Sequence, residues 1–189
     1  MTTHTVTYVT PEEYLAAERL SETRSEYLDG GVYPMPGGTA NHGRIVVNVA
    51  IELALQLRER GCDVLVSDMK VRMPDSRKFF YPDVVVVCGG LQFHDERKDI
   101  ITNPDFVVEV LSPSTEAFDR GAKFQAYRTV SSLKEYLLVA QDSPTVEQYV
   151  RNDDGSWKLT AVVGLESTLT LPSVECTLNL AAVYKRVEF

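Results

Sequence analysis

The sequence predicts an α/β fold with a central mixed β-sheet, helices packed on it and a C-terminal antiparallel hairpin. Three observations predict it. Apolar residues recur at helical spacing in 41–60 and again in 116–130, with strand-like runs between and around them. The runs VVVVC (84–88) and FVVEVL (106–111) are almost continuously apolar, as strands covered on both faces are. From Thr145 onward the chain changes to short alternating runs around turn residues, which is the pattern of antiparallel hairpins.

The elements follow in order. Thr10 before Pro11, Glu12 and Glu13 supplies an N-cap, a first-turn proline and a capping-box glutamate, so a helix is expected over 11–20. RSEYLDGGVYPM (24–35) reads as a hairpin around Asp29-Gly30-Gly31, residues that tolerate positive φ. Val46, Val49, Leu53 and Leu57 line one face of the longest helix, which Gly61 stops, and His42 falls on that face in the first turn. CDVLVSD, MKVRM, YPDVVVVC and PDFVVEVLS are the next four strand candidates. A second long helix covers 116–130, and KEYLLVA is a buried strand. TVEQYV and WKLTAVV flank Asn152-Asp153-Asp154-Gly155 as a hairpin, TLTLP adds a short strand, and a helical turn is expected over 180–184.

At roughly 150 residues per domain, 189 residues give one domain, 1–189. With 44% hydrophobic and 24% charged residues, the chain can bury a core without staples, which excludes disordered and fibrous architectures. The 19 basic against 27 acidic residues leave a net charge of -8, the wrong sign for non-specific coating of nucleic acid or anionic membrane. The three cysteines, Cys62, Cys88 and Cys176, have no C-x-x-C spacing and read as reduced, mostly buried thiols. No apolar run approaches a membrane span and the N-terminal residues do not resemble a signal peptide, so a soluble, cytoplasmic protein is expected.

Two carboxylates stand out by position. Asp83 opens the valine run and Glu109 sits inside FVVEVL; an ionised carboxylate there must be paired, protonated or bound to a metal. Asp83 alone could equally cap a turn. On a helical wheel, Asp119, Lys123 and Tyr127 share the face of Ala122, Ala126 and Val130, while Arg120, Phe124 and Arg128 point elsewhere. An ordinary i, i+4 surface pair between Asp119 and Lys123 is the plainer alternative, which the neighbouring alanines disfavour. Two strand-end carboxylates and a lysine are the minimum equipment for metal-assisted phosphodiester hydrolysis. Hard oxygen donors select Mg²⁺ or Mn²⁺, and an ammonium can position the attacking water or stabilise the transition-state charge.

The strings Tyr81-Pro82-Asp83, Val108-Glu109-Val110-Leu111-Ser112-Pro113-Ser114-Thr115, Asp119 with Lys123 and Tyr127, and Glu135-Tyr136 resemble the Uma-two family of the PD-(D/E)XK nuclease superfamily. The resemblance covers nearly the whole chain, including Glu26-Tyr27-Leu28-Asp29-Gly30. It implies a restriction-endonuclease-like three-layer fold, DNA cleavage to 5′-phosphate products, and Asp83 and Glu109 as metal ligands. The lysine expected two residues after the acid is Leu111 here, and the resemblance transfers its role to Lys123. Glu26 maps onto an acidic residue supporting the metal site from outside the motif strands; an exposed hairpin glutamate is the alternative.

His42, near a helix N-terminus, could contact a phosphate or be hydrogen-bonded structure. Ser112 and Tyr127 read as supporting or packing residues, and His94, amid Asp95, Glu96 and Arg97, as surface loop. The expected activity is a divalent-metal-dependent endonuclease acting on DNA, as a homodimer if both strands are cut. Its rival is a catalytically inactive nuclease-fold scaffold serving as a homodimeric or DNA-binding module, in which Glu109 and Lys123 are only an internal ion pair. Absence of G-x-S-x-G, Walker A and G-x-G-x-x-G motifs leaves other hydrolase readings unsupported. A basic strip around Lys70, Arg72, Arg77 and Lys78 is the expected local contact with nucleic acid.

Overall fold

The computed structural model describes residues 8–35 and 37–189. Helix α1 (Pro11–Glu18) opens with the full capping box: Thr10 Oγ1 accepts from the Glu13 N–H at 3.2 Å, and the Thr10 N–H donates to Glu13 Oε2 at 2.8 Å. Strands β1 (Ser25–Leu28) and β2 (Gly31–Pro34) pair antiparallel across Asp29 and Gly30, both at positive φ (47° and 95°), the two-residue hairpin that the Asp-Gly pair predicts. Helix α2 (Ala40–Leu57) is capped by Thr39, whose hydroxyl accepts from the His42 N–H, and buries Ile45, Val46, Val49, Leu53 and Leu57.

There follow β3 (Cys62–Val66), β4 (Lys70–Arg72), β5 (Lys78–Phe80), β6 (Val84–Cys88), β7 (Ile100–Ile101) and β8 (Phe106–Leu111). A helical segment comprises α3 (Glu116–Phe118), a π-helical turn (Asp119–Lys123) and α4 (Phe124–Tyr127). Strands β9 (Glu135–Ala140), β10 (Thr145–Arg151), β11 (Trp157–Val163), β12 (Thr168–Leu171) and β13 (Cys176–Asn179) lead to the short α5 (Leu180–Val183).

The central sheet has the order β11-β10-β9-β8-β6-β3 and is mixed, because β8 and β9 run parallel while its other pairs are antiparallel. Side-chain alternation sends the residues of β6 and β8 to two different cores. Val84, Val86, Phe106, Val108 and Val110 meet α2, the β12–β13 hairpin and α5. Val85, Val87, Val107 and Leu111 meet Phe124, Ala126 and Tyr127, together with Val71, Phe80 and Ile101 of a second sheet, β2-β1-β5-β4-β7. The central sheet is therefore covered on both faces, which is why β8 reads as unbroken apolar sequence around one glutamate.

Several expectations change. The 116–130 helix ends at Tyr127 and is interrupted by the π-turn. The β10–β11 hairpin extends the central sheet, and the separate C-terminal hairpin is β12–β13. Cys62 and Cys88 are not reduced thiols but a disulfide, because the antiparallel register of β3 and β6 sets them directly opposite each other; Cys176 is free and buried. The basic strip is broken up: Arg72 is turned onto Ser76. Lys70 is buried, and Arg77 and Lys78 are turned onto Asp29, with Lys78 also on Asp75. His94 is half-buried with its ring edge toward Phe79, so it is only partly a surface residue. Among the described residues, no helix is long and apolar enough to cross a membrane.

Candidate active site

Glu109 shares its sheet face with Val107 and Leu111, so the alternation of β8 aims its carboxylate at the helical segment. Lys123 ends the π-turn and reaches back between that segment and the sheet. Its ammonium lies 2.9 Å from Glu109 Oε1, 2.9 Å from Glu26 Oε1 and 3.5 Å from Asp119 Oδ1. Lys123 and Glu109 side chains are only 5% and 4% exposed. The Glu109 contact is an ion pair without hydrogen-bond geometry, and Oε1 accepts no hydrogen bond from any described residue. Glu26 comes from β1 in the second sheet, where the Tyr81 N–H also donates to its Oε1 at 3.1 Å. It is buried rather than an exposed hairpin glutamate.

Asp83 lies just before β6 and forms a second node. Its Oδ2 accepts from the Val110 N–H at 2.7 Å, which ties it to the residue next to Glu109, and it stands 3.3 Å from His42 Nε2. The first turn of α2 thus holds His42 against the end of the motif strand. Tyr127 is fully buried against Phe80 and Tyr136, and its hydroxyl has no partner among the described residues. Ser112 makes no hydrogen bond to these carboxylates among the described residues: its hydroxyl meets Ser114 and Thr115 at the turn into α3.

Electrostatics follow from one cation serving three buried carboxylates. Burial pushes Glu109 well above the usual carboxylate range; Lys123 opposes this, while Asp119, Asp83 and Glu26 add to it. Burial likewise raises Asp119. Burial alone would lower Lys123, yet Glu109, Glu26 and Asp119 together hold it well above its ordinary value, so it stays cationic. The hydrogen bond to Asp83 raises His42.

Among the described residues, no three His, Cys, Asp or Glu side chains are arranged to hold an ion, since the Lys123 ammonium lies between the carboxylates. The donor set still suits a hard divalent cation. Mg²⁺ is commonly held by one or two carboxylates and completes its shell with waters and substrate phosphate. Glu109, with a buried oxygen that accepts no hydrogen bond, and Asp83, partly exposed at the strand end, could supply two. Tyr81 and the His42–Asp83 pairing are what sequence reasoning did not assemble, because both arise from contacts between distant segments.

The mixed central sheet covered on both faces, with its separate C-terminal hairpin, is of the PD-(D/E)XK-like nuclease fold class. The model of the Uma2 family, described as "Putative restriction endonuclease", matches residues 11–182, and the chain belongs to that family. Two uncharacterized proteins from Synechocystis sp. are similar along nearly their full lengths. One, sll1609, is 38% identical over 164 residues, 87% of this chain and 93% of that protein. The other, slr1290, is 37% identical over 183 residues, 96% of this chain and 94% of that protein. A crystal structure titled as a putative nuclease belonging to DUF820, from Anabaena variabilis, superposes with a TM-score of 0.77 at 17% identity. It covers 95% of this chain and 99% of its own. That likeness shows the shared fold.

Proposed function

We propose that this chain is a divalent-metal-dependent nuclease that hydrolyses DNA phosphodiester bonds, leaving 5′-phosphate ends. The observation that carries the reading is the surplus of negative charge: Glu26, Glu109 and Asp119 share a single ammonium in a buried site, with Asp83 beside them. Such a surplus favours a further cation, and family membership supports a phosphodiester as the substrate. Asp83 and Glu109 would hold Mg²⁺ or Mn²⁺. When bound, the ion polarises the phosphoryl oxygen and lowers the pKa of an attacking water.

The chain's own residues do the rest. The Val110 N–H and His42 fix the Asp83 carboxylate, so its orientation needs no reorganisation. Lys123, held cationic, orients the attacking water and offsets charge building on the phosphoryl oxygens. Glu26 and Asp119 hold the ammonium in place. Cutting both strands calls for two copies, so a homodimer is the expected working unit.

Incubating plasmid DNA with purified protein and Mg²⁺ or Mn²⁺ tests this directly. Wild type is expected to nick or cut, and Asp83→Asn and Lys123→Ala each to lose about 100-fold or more in rate. Equal activity in all three proteins overturns the proposal. One observation favours the rival scaffold: Glu109 and Lys123 are nearly sealed from solvent. The scaffold predicts that calorimetry finds no Mn²⁺ binding and that DNA survives intact.

A further inference from the structure

A cleft of about 390 Å³, separate in its lining from the carboxylate cluster, opens beside Tyr81. Its volume falls in the roughly 300–1,000 Å³ range of small-ligand sites. Lys70 lines it with a side chain only 4% exposed. The ammonium makes no hydrogen bond to any described residue. Its nearest carboxylate oxygen, on Asp99, is 3.9 Å away, and otherwise it lies over the rings of Tyr81 and Tyr14 at 5.3 and 5.9 Å.

The acidic residues lining the cleft are already engaged. Arg19 grips both oxygens of Asp99, at 2.8 and 3.0 Å, and Arg24 meets Asp68 at 2.7 Å. Glu18 Oε1 accepts from the Tyr81 hydroxyl at 2.8 Å and from the Ser25 N–H at 2.9 Å. Two cationic side chains remain weakly compensated: the buried Lys70, whose ion pair to Asp99 is long at 3.9 Å, and, at the rim, Arg97, which has no ion-pair partner among the described residues.

We propose that this cleft is a phosphate-binding subsite, in which Lys70 at the base and Arg97 at the rim bind one phosphate group of the ligand. A lysine whose side chain is only 4% exposed and whose ammonium makes no hydrogen bond to any described residue bears a desolvation cost that an entering anion offsets. Burial also pulls the Lys70 amine below its ordinary pKa, only partly opposed by Asp99, and a bound phosphate would reverse that. Tyr81 joins the two sites. Its ring and hydroxyl line the cleft, its N–H holds Glu26, and Asp83 follows two residues later. A strand with one phosphate in this cleft would be anchored next to the carboxylate cluster. Only this last step, which makes the phosphate carrier a nucleic acid, rests on the nuclease reading.

The test is calorimetric titration of the full chain in EDTA at constant ionic strength, with three probes: inorganic phosphate, a 5′-phosphorylated oligodeoxynucleotide, and the same oligonucleotide with a 5′-hydroxyl. Lys70→Met, which keeps the buried stem, is expected to weaken phosphate binding about tenfold. Arg97→Gln, at an exposed position where folding is not at stake, is expected to weaken it about threefold. Loss confined to the phosphorylated oligonucleotide assigns a terminal monoester; equal loss for both oligonucleotides assigns an internal diester. Wild type that binds none of the probes, or variants that bind phosphate as wild type does, overturns the proposal. No divalent ion is present and no bond is cut, so failure of the nuclease reading would leave the inorganic phosphate titrations unchanged.

Discussion

Lys123 has the strongest claim to energetic importance of any single residue, because three buried carboxylates depend on it. Removing one partner of a buried ion pair costs more than the pair contributes, since the other charges are left desolvated. Lys123→Met is expected to lower unfolding free energy by about 3–5 kcal/mol in urea titrations. Glu109, already biased toward protonation, limits the loss by taking up a proton. Adding Glu109→Gln to Lys123→Met should therefore recover part of the deficit. A double variant as unstable as the sum of the single ones would contradict this coupling.

Glu135 offers a cleaner titration. It is fully buried, with Gln148 donating to one oxygen and the Ser173 N–H and hydroxyl to the other, and burial raises its pKa despite those bonds. Because the folded value lies above the unfolded one, its contribution is fully present below about pH 4 and is lost as pH rises through the folded value. The stability difference between Glu135→Gln and wild type should therefore move in the variant's favour from about pH 4 to pH 8. A difference independent of pH would show that Glu135 is not shifted.

Among the elements, the cross-strand disulfide fixes an edge. Among the described residues, β3 is the last strand of the central sheet and pairs with β6 alone, which begins directly after Asp83. Closing a loop across a sequence separation of 26 residues is worth about 3.5 kcal/mol in the chain-entropy account. Dithiothreitol or the Cys62→Ser, Cys88→Ser double variant should lower stability by up to that amount. If reduction leaves the denaturation midpoint unchanged, the bond contributes nothing to the fold.

What the sequence made legible followed the strength of its local signals. The capping box, the Asp-Gly hairpin, α2 and β8 each carry a signal within one window, and Glu109 was conspicuous for standing inside valines. Strands β5 and β7 were missed because three and two residues are too short to show a period, and β13 was missed although its four residues alternate. The disulfide and the fate of Lys70 depend on strand register and on the second sheet, which no local window encodes. The wheel that grouped Asp119, Lys123 and Tyr127 assumed a regular α-helix. The π-turn, a feature often found at functional sites, changes that geometry, yet Lys123 still reaches Glu109 and Asp119.

At the scale of the whole molecule, the net charge of -8 and the buried carboxylates describe one imbalance at two depths. Surface acidity disfavours DNA, and Arg77 and Lys78 at the start of β5 are paired with local aspartates. Cations at the site, whether Lys123, Lys70 or a bound metal, would then supply the affinity for a phosphate backbone next to the carboxylates. A divalent ion that binds only the folded chain stabilises it by RT ln(1 + [L]/Kd), about 2.7 kcal/mol at a hundredfold excess over Kd. Millimolar Mn²⁺ should therefore raise the unfolding temperature, where NaCl at matched ionic strength does not, and Asp83→Asn should remove the difference. Equal shifts from both salts would mean that screening of the acidic surface accounts for the effect, and that the carboxylate cluster is balanced by Lys123 alone.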